Sequence, residues 1–289
     1  MFFQILTFLS LYNRINTVSH KKELTMQNCQ WVLDQLKATT VLKSTHPTRH
    51  VIHYPDPVYR GFQGGCSDGE RYYYQVLMHY ELDDRTKDYA CIAKVDLQLG
   101  KTVAYSKALM LDHANDMTYH PGKHLLIVCN NAPHPRRLTF VDPDTLEIVG
   151  TQEIPFSIYS IEYNAKRDGY VVGLSGTREF RFLDADFNPT EDVTHRATPL
   201  TDRYTKQGVC ADDELVYFIM WDGKHKDLPD FQNVITVYDW QGTYRGMIHF
   251  DIGPYEPEDL SIVNGELLAV CVDAQHTPTI YCFEPAEAL

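Results

Sequence analysis

An internal repeat of about fifty residues constrains the fold more than any other feature of the sequence. Each copy contains a polar or small pair of residues, a short β-prone run, a turn rich in Gly, Asp or Asn, and a second β-prone run. The second member of each pair stands at position 64, 116, 160, 208 or 259, so the copies follow at intervals of 52, 44, 48 and 51 residues. A period of this length is typical of propellers and solenoids, whose repeats cannot bury their hydrophobic faces alone.

A second pattern with the same period follows each copy. A β-prone run ends in an apolar residue and an acid, at Val95-Asp96, Val141-Asp142, Leu183-Asp184, Tyr238-Asp239 and Phe283-Glu284. Gly, Pro or Asn stands close behind the first four acids. We therefore expect Asp96, Asp142, Asp184 and Asp239 to form turns, and we do not assign them to a functional site.

Together the two patterns predict an all-β fold, a β-propeller with five four-stranded blades, with six blades as the alternative. The 19 Tyr and 13 Phe residues agree with a sheet protein, because aromatic residues suit a pleated surface. The last copy ends five residues after Glu284, which leaves no room for its outermost strand. We expect an N-terminal strand at residues 39–44, preceded by a short helix at residues 29–36, to close the ring.

The repeat assigns residues 26–289 to one propeller domain and leaves residues 1–25 outside it. Residues 2–12 are apolar, but no basic residue precedes them, no small-x-small cleavage site follows, and the run is too short to span a bilayer. Lys22-Glu23 can be encoded by a bacterial ribosome-binding sequence just before Met26. We predict that translation starts at Met26 and that residues 1–25 are a non-native extension; an export or membrane segment is the alternative.

Charge and cysteine content limit the partners. The formal net charge of −13 argues against a nucleic-acid partner, because phosphate neutralisation requires clustered Lys and Arg. No phosphate loop or dinucleotide fingerprint is present, so no nucleotide cofactor is expected. The seven cysteines are scattered without a C-x-x-C pair, mostly in apolar runs, which favours reduced thiols and a cytoplasmic location unless residues 1–25 direct export. We expect no membrane partner.

In a propeller the innermost strand of each blade starts at one mouth of the central channel. This position predicts a polar ring made of Gln63-Gly64, Asn115-Asp116, Tyr159-Ser160, Gln207-Gly208 and Glu258-Asp259. Loops on the same face add Asn130, Asn131, His134, Ser175, Thr177, Trp221, Asp222, His225, Asp273 and His276, and His113 lies just ahead of Asn115. Converging hydrogen-bonding groups at a concave mouth indicate a ligand site. His120 and His124 fall on the opposite face, where we expect them to be exposed.

Carboxylates and imidazoles on this face suit acid–base chemistry or a hard cation. We predict Asp116, Glu258 and Asp259 as ligands of Ca²⁺ or another divalent ion, because like charges brought together need a compensating cation. Asp116, Glu258 and His113 are the predicted catalytic groups. The predicted substrate-binding residues are Gln63, Asn115, Tyr159, Gln207, Trp221 and His276.

Each of these predictions has a structural alternative. Asn115 and Asp116 can instead cap a strand start through side-chain hydrogen bonds to the backbone. Glu258-Asp259 can be a solvated corner after two prolines. Cys66 and Cys210 start blades near the channel without an adjacent His, so we expect both to be buried structural thiols.

Three blade openings resemble those of the gluconolactonase/senescence-marker-protein propellers and the related streptogramin lyases. They are Asn115-Asp116-x-x-Tyr119-x-Pro121-Gly122, Gln207-Gly208-x-x-Ala211-Asp212 and Pro257-Glu258-Asp259-Leu260. The resemblance implies a divalent metal at the channel mouth and opening of lactones or related esters, with Asn115, Asp116, Glu258 and Asp259 as counterparts of the metal site. The sequence departs from that family at Gln63, where the family has a metal-binding Glu, and in having five units instead of six.

A further resemblance connects two openings to five-bladed glutaminyl cyclotransferases. It is carried by Phe62-Gln63-Gly64 and by Pro257-Glu258-Asp259-Leu260 with Asn264-Gly265. Two functions therefore remain open. The first is a metal-dependent hydrolase or lyase of a small polar, lactone-like substrate. The second is a non-catalytic, WD-repeat-like propeller that binds a carbohydrate, a peptide or a protein.

Overall fold

The structure is a computed structural model that describes residues 27–81, 84–191, 193–196, 203–273 and 277–286. The predicted extension at 1–25 and the predicted start at Met26 lie outside these ranges. Within them, no helix has the length and apolar character needed to cross a membrane.

The described chain begins with one helix and two strands: α1 (Gln30–Leu36), β1 (Val41–Thr45) and β2 (Thr48–Val51). The helix agrees with the expected range of 29–36. The side chain of Val32 in this helix is fully buried, and Trp31, Leu33 and Leu36 pack against the core. Since seven residues form only two helical turns, this packing holds the helix in place more than its own hydrogen bonds do.

Together with β2, the other described strands form five four-stranded antiparallel units. The first unit contains β3 (Gly61–Ser67), β4 (Tyr72–His79), β5 (Tyr89–Asp96) and β6 (Lys101–Tyr105). The second contains β7 (Asp116–His120), β8 (Leu125–Cys129), β9 (Arg137–Val141) and β10 (Ile148–Glu153). The third contains β11 (Ile158–Asn164), β12 (Gly169–Leu174), β13 (Glu179–Asp184) and β14 (His195–Arg196).

The fourth and fifth units share one nine-stranded sheet. The fourth contains β15 (Thr205–Ala211), β16 (Leu215–Trp221), β17 (Asn233–Asp239) and β18 (Tyr244–Phe250). The fifth contains β19 (Pro257–Val263), β20 (Glu266–Val272) and β21 (Pro278–Pro285), with β2 as its outermost strand.

The first strands of the units, β3, β7, β11, β15 and β19, contact one another in a closed cycle. Among the described residues, a separate hydrophobic cluster fills each of the five spaces between neighbouring units. The second strands are therefore covered on both faces; in β4 all six residues between Tyr72 and His79 are buried. Radial packing of sheets that cannot bury both faces alone is the organisation of a β-propeller.

The strand that completes the fifth unit differs from the expected one. β2, not residues 39–44, pairs with β21 through Thr48–Tyr281, His50–Ile280 and Val51–Thr279. β1 instead lies parallel to the outer edge of β18, and only its last two residues reach β21. Both segments have β-prone residues, and the chain breaks between them at Pro47, which lacks an N–H donor. The first segment covers the exposed edge of the fourth unit and the second covers the edge of the fifth.

The four aspartates that recur in the second sequence pattern lie in turns, as predicted. The carboxylate of Asp96 accepts the amides of Gln98 and Leu99, and Asp142, Asp184 and Asp239 accept equivalent amides of their own turns. The seven cysteines, including Cys66 and Cys210, are buried free thiols. The expectation for His120 was wrong, since it is only 4% exposed and stacks on Tyr163 at 3.9 Å between ring centroids.

Candidate functional site at the channel mouth

Four of the five innermost strands bulge at the residues predicted to form the polar ring. The pairing register shifts between residues 62 and 65, 158 and 160, 206 and 209, and 257 and 259. The residues within these shifts include Gln63, Tyr159, Gln207 and Glu258, and Asn115 stands at the matching place just before β7. Because a bulge re-aims side chains at the end of a strand, the repeat gives these five residues equivalent places at the mouth.

Directly below this ring, Asp116 and Asp259 form a carboxyl pair at the centre of the propeller. Both residues are completely buried, and their carboxyl groups share a hydrogen bond. Asp116 Oδ2 also accepts the backbone amides of Ile161 at 3.0 Å and Val209 at 3.3 Å, and Asp259 Oδ2 accepts that of Gly65. The two carboxyl groups thereby connect the innermost strands of all five units.

Two glycines leave room for this carboxyl pair. A Cβ atom on Gly64 would lie 2.3 Å from the Cα of Asp116, and one on Gly208 would lie 2.0 Å from Oδ1 of Asp259. These distances are far below van der Waals contact. The small residues in the predicted pairs Gln63-Gly64 and Gln207-Gly208 are therefore required by the aspartates of the neighbouring units.

The carboxyl pair needs a shared proton. Burial raises the pKa of Asp116 to about 7, although hydrogen bonds from Asp259 and from backbone amides oppose the shift. Burial and the adjacent Asp116 charge raise the pKa of Asp259 well above its ordinary value. One protonated and one ionised carboxyl group satisfy the geometry, because two carboxylates in contact would repel each other.

These contacts do not fit the predicted metal centre. Asp116 Oδ1 and Asp259 Oδ1 accept the amides of Met117 and Leu260, so all four oxygens of the pair already accept a backbone N–H. Among the residues that the structure describes, no group of three or more His, Cys, Asp or Glu side chains could hold a metal ion. Asp116 and Asp259 lie in contact, and Glu258 does not join them in a ligand set.

Glu258 has different surroundings at the mouth itself. It is partly exposed, and no described residue donates a hydrogen bond to its carboxyl group. Burial, followed by the charge of nearby Glu256, raises its pKa well above the ordinary value. Glu256 accepts a hydrogen bond from the side-chain amide of Gln207, and burial raises its pKa as well. Glu258 is thus a carboxyl group that is protonated more easily than a solvated one and has no hydrogen-bond partner in the described part of the chain.

Amide side chains occupy the rest of the ring. Gln63 Nε2 donates to the hydroxyl of Tyr80 at 3.2 Å, and the ring of Tyr80 lies 6.4 Å from that of His113. On the other side, Asn131 donates to Asn115 Oδ1 and Asn115 donates to the carbonyl oxygen of Tyr159, both at 3.0 Å. The predicted residues His113, Asn115 and Gln63 therefore belong to one polar layer.

Lys206 and Tyr159 form the most unusual charged contact near this layer. The ammonium group of Lys206 lies 4.0 Å from the centroid of the Tyr159 ring and donates to the carbonyl oxygen of Leu174 at 2.8 Å. Burial, with a smaller contribution from Arg178, lowers the pKa of Lys206 to about 8. Tyr159 is only 5% exposed, so it supports Lys206 and its ring is mostly withdrawn from solvent.

Several predicted loop residues have structural partners. Asp222 is completely buried and bonds to Arg203 at 2.9 Å and to His225 at 2.8 Å, and neighbouring Trp221 is partly buried. His134 bonds to Asp112 at 3.1 Å. The predicted residue His276 lies outside the described residues.

Three residues of the layer were not predicted: Tyr80, Glu256 and Lys206. Tyr80 follows the second strand of the first unit, the same position that pointed to loop residues in the other four units. Glu256 and Lys206 stand two residues and one residue ahead of ring members. The repeat therefore contained the information needed to find these three residues. They stand at or within two residues of positions equivalent to those from which the ring and its loops were predicted.

Comparison with known proteins supports the fold and leaves the family open. No family model matches the sequence, and no curated protein matches it. The crystal structure of glutaminyl cyclase from Myxococcus xanthus is similar with a TM-score of 0.56, 11% identity, and coverage of 85% of this chain and 99% of that chain.

Two further solved structures are similar at lower scores. Streptogramin B lyase has a TM-score of 0.43 and 11% identity, covering 82% of this chain and 72% of that chain. The β-propeller domain of Cps50 from Myceliophteria thermophila has a TM-score of 0.39 and 10% identity, covering 78% of this chain and 65% of that chain. The strand order and the cyclic contacts of the innermost strands make the chain a β-propeller, as the repeat predicted, and its fold is similar to that of the glutaminyl cyclase.

Proposed function

We propose that the protein is an acid–base enzyme that acts on a small polar substrate at the channel mouth, with Glu258 as the proton donor. The observation that carries this proposal is the carboxyl group of Glu258, which is partly exposed, lacks a hydrogen-bond partner among the described residues and lies near Glu256. A carboxyl group with a raised pKa keeps its proton to a higher pH than a solvated one and can donate it during a reaction.

The surrounding amides suit a carbonyl substrate. Gln63, Gln207 and Asn115 offer hydrogen-bonding groups to a lactone or an amide. Water, or the α-amino group of a glutaminyl substrate, bonds to the carbonyl carbon, and the bond from that carbon to its leaving oxygen or nitrogen breaks. Glu258 transfers its proton to the leaving atom and becomes a carboxylate, which then takes up the proton released by the attacking group. The substrate class fits either a lactone, as the streptogramin-lyase resemblance implies, or a glutaminyl peptide, as the name of the Myxococcus xanthus enzyme suggests.

In the alternative mechanism a divalent ion at the channel mouth, rather than Glu258, promotes opening of the substrate. The resemblance to the gluconolactonase/senescence-marker-protein propellers implies such an ion. The proposal favours Glu258 over an ion, since all four oxygens of the Asp116–Asp259 pair accept backbone amides. Calcium dependence remains a separate prediction, which EDTA treatment tests.

A non-catalytic binding protein is the second candidate. The observation that favours it is the amide chain from Asn131 through Asn115 to the carbonyl oxygen of Tyr159, which holds these side chains in fixed orientations. Preoriented amides beside aromatic rings suit a carbohydrate or a peptide backbone. In this case the same mouth binds its ligand without turnover.

The test is hydrolysis or cyclisation of a panel of lactones and glutaminyl peptides by the full chain, with and without EDTA. We expect activity that survives EDTA, falls at least a hundredfold in kcat/KM in Glu258→Gln, and decreases as pH rises through the pKa of Glu258. Glu162→Gln, which changes a partly buried acid farther down the channel, is the matched control and should retain activity. Activity in Glu258→Gln equal to the unmodified protein would contradict the acid role, and loss with EDTA would support the metal alternative.

A further inference from the structure

A cavity lies at the end of the channel opposite the mouth. Its volume is about 130 Å³, and it is lined by residues from the far halves of the innermost strands and their turns, including Ser67, Tyr119, Glu162, Tyr163 and Ser261. The Asp116–Asp259 pair stands between these residues and the mouth along β7 and β19. The cavity is therefore separate from the site proposed above.

The charged side chains among the described lining residues are all acidic. Three acids line it, Asp68, Glu70 and Glu162, and none of its described lining residues is Lys, Arg or His. Asp68 Oδ1 is engaged by the backbone amides of its own turn. Glu162 is the acid that belongs to an innermost strand, where Thr118 Oγ1 donates to its Oε2 at 2.7 Å.

The basic residues described close to the lining make their contacts with groups outside the cavity. Arg71 bonds to Asp96 at 2.6 Å, Arg167 lies 4.6 Å from the centroid of the Trp240 ring, and Lys123 donates to the carbonyl oxygen of Ala185. His120 is uncharged at neutral pH, since burial and Lys123 lower its pKa to about 4. No side chain described near the cavity supplies a positive charge to Glu162.

Two aromatic rings form walls beside these acids. The hydroxyl of Tyr163 donates to Asp168 at 2.8 Å, and the hydroxyl of Tyr119 pairs with His124 at 2.9 Å. Neither partner lines the cavity, so the polar ends of both side chains are fixed outside it. Tyrosine rings attract cations through their faces.

We propose that this cavity is a second ligand site, which takes a small organic cation such as a primary ammonium ion and pairs it with Glu162. The volume suits a ligand of five or six non-hydrogen atoms, because an apolar protein cavity of about 150 Å³ holds benzene. An ammonium group supplies the charge that the lining lacks, and the tyrosine walls accommodate its alkyl chain.

The experiment is a titration of the full chain with butylammonium chloride, followed by isothermal calorimetry, with 1-butanol as the neutral probe of the same size. We expect saturable binding of butylammonium, at least tenfold weaker binding in Glu162→Gln, and no saturable binding of butanol. Glu258→Gln should bind like the unmodified protein, which separates this site from the mouth.

A second variant protects the test against misfolding of Glu162→Gln. Ala165→Leu places a larger side chain at the partly exposed rim and leaves every charge in place. It should also weaken butylammonium binding while melting cooperatively. Equal binding by the unmodified protein and both cavity variants, equal binding of butanol, or loss of binding in Glu258→Gln would overturn the proposal.

Discussion

Gly64 and Gly208 occupy the places in the inner ring where a side chain would collide with the central carboxyl pair. Each belongs to a different unit from the aspartate that it contacts. The sequence pattern identified both glycines as ring members because the repeat register is local and covers every unit. It assigned Asp116 and Asp259 to metal binding, since hydrogen bonds from Gly65, Ile161 and Val209 come from other units and leave no local trace.

Gly208→Ala tests this arrangement. The new methyl group would lie 2.0 Å from Oδ1 of Asp259, so we expect a loss of about 3 kcal/mol or more in the free energy of unfolding. Gly150→Ala is the control, because its nearest neighbour is 3.5 Å from the added Cβ, and it should change stability by less than about 0.5 kcal/mol. Urea unfolding measures both. Similar stability for the two variants would mean that the pair can move aside.

At the scale of elements, the repeat predicted the units, their turns and the polar pairs at the starts of the innermost strands, but not the bulges found there. Turn acids such as Asp96 and Asp184 bond within their own turns, so their role can be read locally. The prediction that residues 39–44 supply the closing strand was wrong, because residues 39–44 and 48–51 are similar in composition. Only pairing with a strand more than 200 residues away distinguishes them. His120 was misplaced for a similar reason, since its stacking partner Tyr163 belongs to the next unit.

Ile52→Ala tests closure by β2. Ile52 directly follows β2, is completely buried with residues of the first and fifth units, and donates its amide to Pro278 at 2.8 Å. We expect a loss of about 2–4 kcal/mol in unfolding free energy. Val41→Ala in β1, where the side chain is 47% exposed, should cost less than about 1 kcal/mol. A larger effect at Val41 would contradict the assigned closing strand.

At the scale of the whole molecule, the buried carboxyl groups make stability decrease as pH rises, whereas His50, His120 and His249, whose pKa values are lowered by burial, contribute in the opposite direction below about pH 6.5. The pKa of Asp116 is raised to about 7 in the folded state, whereas an aspartate in the unfolded chain titrates near 4. The folded protein therefore holds more protons between these values. Its stability from this pair is complete below about pH 4 and is lost as pH rises through 7. Glu162, Glu256, Glu258 and Asp259, whose pKa values are also raised, contribute in the same direction.

Asp259→Asn isolates the contribution of the pair. In the unmodified protein we expect the proton held by Asp116 to contribute a fall of up to about 1.4 kcal/mol per pH unit to the free energy of unfolding between pH 5 and 7. The asparagine variant should show a smaller slope, because its amide does not ionise and can donate to Asp116. Chemical unfolding at several pH values measures the slopes. Identical slopes would show that the pair does not control this dependence.

The fifth unit combines β2 near the start of the described chain with β19, β20 and β21 near its end. During synthesis on the ribosome, the edge of β2 has no strand to pair with until β21 has left the exit tunnel. The first three units can form as they emerge, but the ring cannot close before β21 has been translated and has left the tunnel. A truncated product that ends before residue 278 would therefore lack the last contact of the ring and expose the apolar surface that β21 covers.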